Sequence, residues 1–284
     1  MKNNKYFVCL LIIILSLIIP VTMSAQPIQV DIPSYVLLTL VTLDSGRTVS
    51  QANSILIDVN DGLLITNAHI IEYGQINYIG VRIFNKWQFA RIRSEWINWQ
   101  ADLAIIQLNL NQIDSLPPAA VLMSDTLSLG DPAVFKGYLE SETADGKLFF
   151  RPVLINTLIR KKDARYGEIS SETWAEFMKF RVSTSRTEEP PWKKLSMLYR
   201  NYLILEATVQ IREMKQKIHD DLSGLALINK NSQVIGISSK LFKAGTLATA
   251  IPAFEIENLL IKAKFDLMIE ELKAEFKTSD NDSN

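Results

Sequence analysis

The chain has 284 residues, 48% of them apolar, and a formal net charge of −1. That is enough apolar material for a sizeable core, in one large domain or two small ones. The balanced charge leaves no basic stripe of the kind a nucleic-acid binder carries, so no nucleic-acid partner is expected.

Lys2 and Lys5 precede an apolar stretch over 7–19 that only Ser16 interrupts. Pro20 ends it, and Thr22-Met23-Ser24-Ala25 offers small residues for cleavage. This predicts a signal peptide over 1–25, and so export to a bacterial periplasm or cell envelope, or to the outside. The rival is an uncleaved membrane anchor, for which the stretch is short. With the peptide removed, no stable membrane insertion is expected. The single cysteine, Cys9, lies inside it, so the mature chain would hold no disulfide and depend on its core alone.

Short runs rich in β-branched and aromatic residues follow, at 35–41, 54–59, 63–66, 78–84, 89–92, 103–108 and 133–137. Asn60-Asp61-Gly62 between two of them is a hairpin signal, because Asp-Gly tolerates the positive φ of a tight turn. Further strands are predicted at 203–209, 225–228, 233–239 and 246–251. Short strands at this spacing point to an all-β barrel or sandwich. The stretch between the two blocks differs. Residues 156–201 hold ten Lys/Arg and six Asp/Glu, a short helix is predicted over 172–181, and Pro190-Pro191 breaks the pattern. It reads as an insertion or elaborated loop. Over 254–276 apolar residues recur at helical spacing (Ile256, Leu259, Leu260, Ala263, Leu267, Leu272 and Phe276), predicting an amphipathic helix packed on the strands, or else one that binds a partner.

Only two histidines are present, His69 and His219. His69 ends Thr66-Asn67-Ala68-His69, just after an apolar run, whereas His219 lies in a polar stretch. Asp102 opens the apolar run at 103–108, and Ser223 lies in Asp221-Leu222-Ser223-Gly224 before another. His, Asp, Ser is the chain order of one of the serine-hydrolase triads. A serine hydroxyl needs a base to take its proton as it attacks a carbonyl, and the base needs a carboxylate to fix its tautomer. No metal-ligand spacing and no glycine-rich phosphate loop occurs, so no cofactor or metal is expected.

The surroundings of these residues match one family. ILIDVNDGLLITNAHII (55–71) resembles the histidine region of HtrA-type (Deg) proteases, within the trypsin/chymotrypsin superfamily. ADLAIIQL (101–108) resembles that family's aspartate motif, and LMSDTLSLGDPAVFKG (122–137) its passage from first barrel to second. LSGLALINKNSQVIGISS (222–239) is similar to the nucleophile strand and following hairpin, and Ala250-Ile251-Pro252 to the strand bordering the specificity pocket. The match covers about 33–138 and 203–262, omits the charged middle, and no PDZ-like domain follows.

The resemblance implies an all-β fold of two six-stranded antiparallel β-barrels with the triad in the cleft between them. The first barrel would span 26–138, the charged insertion 139–202, the second barrel 203–253, and helix and tail 254–284. His69, Asp102 and Ser223 would be catalytic, and the backbone N–H groups of Asp221 and Ser223 would receive the oxyanion. Lys217, Ala248 and Ala250 would border the substrate pocket. The implied activity is a serine endopeptidase acting on proteins or peptides through an acyl-enzyme. The alternative is an impaired protease fold that binds peptides or partner proteins. It arises because the nucleophile turn reads Asp-Leu-Ser-Gly-Leu, with Asp221 at a position normally glycine and Leu225 at one normally small, where it would crowd the pocket.

Overall fold

The computed structural model describes residues 31–43, 48–71, 76–99, 101–124, 127–142, 148–164, 202–208, 223–241 and 247–281. All but Asp31 belong to one compact unit, Ile32–Asn284. The expected signal peptide, the 172–181 helix and His219 lie outside the described residues.

Six strands form a first closed antiparallel barrel: β1 (Val36–Leu43), β2 (Thr48–Asp58), β3 (Leu63–Thr66), β4 (Ile76–Ile83), β5 (Lys86–Asn98) and β6 (Leu103–Leu108), in the order β1-β2-β3-β6-β5-β4. Six more form a second: β7 (Pro132–Glu142), β8 (Leu148–Ala164), β9 (Tyr202–Thr208), β10 (Ala226–Asn229), β11 (Val234–Leu241) and β12 (Leu247–Pro252), in the order β10-β11-β12-β9-β8-β7. One helix, α1 (Ala253–Asn281), follows.

Two boundaries differ from the sequence-based expectation. The run at 133–137, grouped with the first barrel, lies in β7, which pairs with β8 and β10 of the second. The charged middle also begins as barrel. Within β8, Val153, Ile155, Thr157 and Ile159 are buried while Pro152, Leu154 and Asn156 are exposed. That alternation is a strand with one face inward. The second barrel therefore starts at Pro132, and 148–164 is one of its strands.

Each barrel has its own core. Leu37, Val41, Leu56, Leu64, Ile79, Val81, Ala104 and Ile106 pack in the first cluster. Phe135, Leu139, Ile155, Ile159, Leu225, Leu227, Ile235 and Ala250 pack in the second. A third cluster joins both barrels to the helix through Ile55, Leu63, Ile65, Trp96, Leu103, Ile105, Ala226, Val234, Ile237, Ile251, Ile256, Leu259 and Ala263. β3 and β6 thus have one face in their own barrel and the other in the shared core. All their residues are buried, which is why both read as unbroken apolar runs and not as alternating ones.

The hairpin between β2 and β3 is built as its sequence predicts. Asp58 Oδ1 accepts the N–H groups of Asn60 and Asp61, and Gly62 takes φ +63°. The helix docks on this turn and on an irregular part of β5. Lys264 reaches Asp58 at 2.6 Å, Trp96 Nε1 donates to Asp266 at 3.0 Å, and Arg93 pairs with Glu270. Of the expected apolar face, Ile256, Leu259 and Ala263 are buried and Leu260 and Leu267 pack beside them. Leu272 and Phe276 do not join them, being 42% and 70% exposed.

Candidate active site

His69 sits in a 3-10 turn, Ala68–Ile71, directly after β3. Asp102 is the residue before β6, the strand paired with β3, so the two side chains leave neighbouring strand ends. Asp102 takes φ +56°, a left-handed conformation that Asp tolerates better than most residues. Its backbone carbonyl accepts the Ala68 N–H at 3.1 Å and Asn67 Nδ2 at 3.2 Å. Its carboxylate takes two donors from His69: the backbone N–H at 2.9 Å on Oδ1, and ring Nδ1 at 2.8 Å from Oδ2.

Ser223 comes from the turn before β10, across the barrel boundary. Its Oγ lies 2.6 Å from His69 Nε2. With an ionised carboxylate on the Nδ1 side, the proton belongs on Nδ1, and Nε2 is left to accept from the serine hydroxyl. The sequence-predicted His69, Asp102 and Ser223 are thus in one hydrogen-bonded line. Ser223 is 7% exposed and the His69 side chain 32%, so the imidazole has an open edge.

The turn that carries Ser223 is held by groups that sequence reasoning did not single out. The Ser223 carbonyl accepts both the backbone N–H of Asn53, at 3.0 Å, and its Nδ2, at 3.2 Å. Asn53 Oδ1 accepts the N–H of Tyr138 at 2.6 Å, and Thr66 Oγ1 donates to the Asn53 carbonyl at 2.9 Å. Gly224 has φ +79°, and its N–H donates to Asn67 Oδ1 at 2.7 Å. A Cβ on Gly224 would lie 1.8 Å from the Asn53 carbonyl oxygen, so only glycine fits. The Leu225 N–H donates to Ser238 Oγ at 2.9 Å. Asn53, Thr66, Asn67 and Ser238 are all buried. Nothing in their local sequence sets them apart, since each has a polar neighbour in the chain; their burial is what requires a partner for each.

The remaining predictions divide. Asp221 and Lys217 lie outside the described residues, and of the two expected oxyanion donors only Ser223 is placed. Ala248 lies in β12 beside Leu205 of β9. Ala250, expected at the pocket, is fully buried and packs in the second barrel's core, so its side chain does not line the cleft. Leu225, expected to crowd the pocket, is fully buried in that same core.

The same architecture occurs in a solved structure. The Rv3671c protease from M. tuberculosis, in its active form, superposes with a TM-score of 0.50 at 18% identity, covering 81% of each chain. The chain has the double-barrel fold of the chymotrypsin-like serine proteases. Two inactive forms of the same protease give TM-scores of 0.48 and 0.47 at 18% and 19% identity, covering 79% of this chain and 85% and 87% of theirs. No protein-family model and no curated protein matches the sequence. Among the described residues, no group of three or more side chains is placed to hold a metal, and no helix is long and apolar enough to cross a membrane.

Proposed function

We propose that this chain is an exported serine endopeptidase in which Ser223 is the nucleophile, His69 the general base and Asp102 the residue that orients it. The observation that carries this reading is the continuous line from carboxylate to imidazole to hydroxyl, at 2.8 Å and 2.6 Å.

The chemistry follows from that line. As Ser223 Oγ attacks a peptide carbonyl, its proton passes to His69 Nε2, and the Asp102 carboxylate stabilises the imidazolium. The carbonyl oxygen becomes an oxyanion, which the backbone N–H groups of Ser223 and Asp221 would receive. Collapse breaks the C–N bond, and the imidazolium gives its proton to the departing amine. Water then attacks the acyl-enzyme with His69 again as base, releasing the acid and restoring Ser223. Lys2, Lys5 and the apolar stretch over 7–19 support export.

The test is hydrolysis of an unfolded protein substrate, followed by amine release. Wild type is expected to cleave it, and Ser223→Ala is not. Cleavage that survives Ser223→Ala would refute the nucleophile. Peptide binding without cleavage, in a wild type that keeps its fold, would favour the second reading, a protease-fold binding protein, for which Asp221 in the nucleophile turn is the supporting feature.

A further inference from the structure

One buried amide stands between the acid of the triad and the turn that carries the nucleophile. Asn67 is wholly buried and lies two residues before His69. Its Oδ1 accepts the Gly224 N–H at 2.7 Å, and its Nδ2 donates to the Asp102 carbonyl at 3.2 Å. The first bond reaches the second barrel; the second stays in the first. Rotating the amide by half a turn would set a donor against a donor and an acceptor against an acceptor, so its orientation is fixed by both partners.

We propose that Asn67 is a positioning residue that sets the spacing between the triad's acid and its nucleophile across the barrel boundary. The proposal rests on the protease reading above. Asn67 touches no reacting atom. It acts through Asp102, whose left-handed backbone it helps to hold, and through Gly224, the residue after the nucleophile. A carboxylate at 67 would lack the donor. A serine hydroxyl is too short to span both partners, and glutamine is one methylene too long. Losing the amide leaves the Gly224 N–H a buried donor without its acceptor, and the turn is then free to move Ser223 Oγ away from Nε2.

The Asp102 carboxylate contacts to His69 do not pass through Asn67. Its loss should therefore slow acylation without moving the pH midpoint of the reaction and without weakening substrate binding. A purely structural role would lower stability and the number of active sites while leaving the rate per site unchanged.

The experiment compares full-length wild type with Asn67→Ala and Asn67→Ser, the second serving if the first does not fold. Active sites are counted by the burst of an activated ester. The rate of phosphorylation by diisopropyl fluorophosphate is then measured per counted site across pH, with kcat and KM on a peptide substrate. The expected result is a loss of roughly ten- to a hundredfold in rate per site and in kcat, with KM and the midpoint of the pH profile unchanged. A wild-type rate per site, or a shifted pH midpoint, overturns the proposal. If wild type itself does not react, the protease reading has failed, and hydrogen exchange decides the clasp separately. Asn67→Ser should then speed exchange of the Gly224 amide much more than that of Leu225, which Ser238 holds. Equal protection of Gly224 in both proteins overturns it.

Discussion

Gly224→Ala is the sharpest perturbation of the nucleophile turn. The added Cβ would stand 1.8 Å from the Asn53 carbonyl oxygen, where real contacts begin near 3.0 Å. The Cβ position is fixed by the backbone and the oxygen is itself backbone, so no side-chain rotation relieves the clash; the turn or β2 must move by more than an ångström. The left-handed φ of +79° would cost a non-glycine residue about 1–2 kcal/mol by itself. Moving the turn also strains the two bonds that Asn53 donates to the Ser223 carbonyl, each contributing about 0.5–1.5 kcal/mol. Together these give a loss of about 2–5 kcal/mol in folding stability. Catalysis should suffer more, because a displacement of about 1 Å between nucleophile and base can cost a hundredfold. Urea unfolding followed by tryptophan fluorescence reads the first effect, and the rate of modification by a fluorophosphonate reads the second. A variant that unfolds at the wild-type urea midpoint and reacts at the wild-type rate would refute the placement of this turn against β2.

Other predictions test the helix and the base. Trp96 is fully buried under α1, so Trp96→Ala should cost about 3–5 kcal/mol in urea unfolding; a change below 1 would mean that the helix is not docked there. Leu259→Ala, at 5% exposure, should cost about 2–5 kcal/mol, while Ile261→Ala, at 67%, should stay within about 0.5 of wild type; equal effects would misplace the helix face. Burial opposes the charge on Asp58, but the Lys264 ammonium and the amides of Asp61 and Asn60 outweigh it and hold its carboxyl below the usual range. Its contribution is therefore present above the ordinary carboxylate range and is lost as pH falls through the lowered value. Lys264→Ala should lower stability by less than about 1 kcal/mol at neutral pH, since that side chain is 45% exposed, and by nothing once Asp58 is protonated; a penalty that grows in acid would refute the pairing. His69→Ala should keep the wild-type circular dichroism and melting curve while losing hydrolysis, because the ring borders the cleft and not a core.

What could be read from the sequence follows from which signals are local. β3 and β6 appear at their predicted limits because they are buried on both faces, leaving unbroken apolar runs with sharp ends. The Asp-Gly hairpin is legible because its φ requirement belongs to a single residue. β8 was hidden by charge counting. It leads straight into the Lys/Arg-rich stretch, although its inward positions alternate correctly at Val153, Ile155, Thr157 and Ile159. The assignment of β7 to the second barrel was not legible either, since a strand's own residues do not say which neighbour it pairs with. In α1 the apolar period continues to Phe276, but from Glu270 to Lys277 every side chain is exposed, so periodicity alone overstated the packed length.

His69, Asp102 and Ser223 stood out through the motifs around them, and each lies beside a strand end that the fold brings together. The supporting amides of Asn53 and Asn67 did not. Each sits among other polar residues (Gln51 and Ser54 around Asn53, Thr66 and His69 around Asn67), and only the register between barrels decides that one meets the Ser223 carbonyl and the other the Gly224 N–H. Ala250 failed as a pocket residue for a related reason. Within a strand, alternate side chains face opposite ways, and here its side is the core.

The most direct measurement is the intact mass of the protein after treatment with diisopropyl fluorophosphate, with the adduct located by peptide mapping. A single adduct on Ser223, absent from His69→Ala and from Ser223→Ala, is the predicted result. An unmodified wild type, or an adduct on any other residue, would contradict a nucleophile activated by His69.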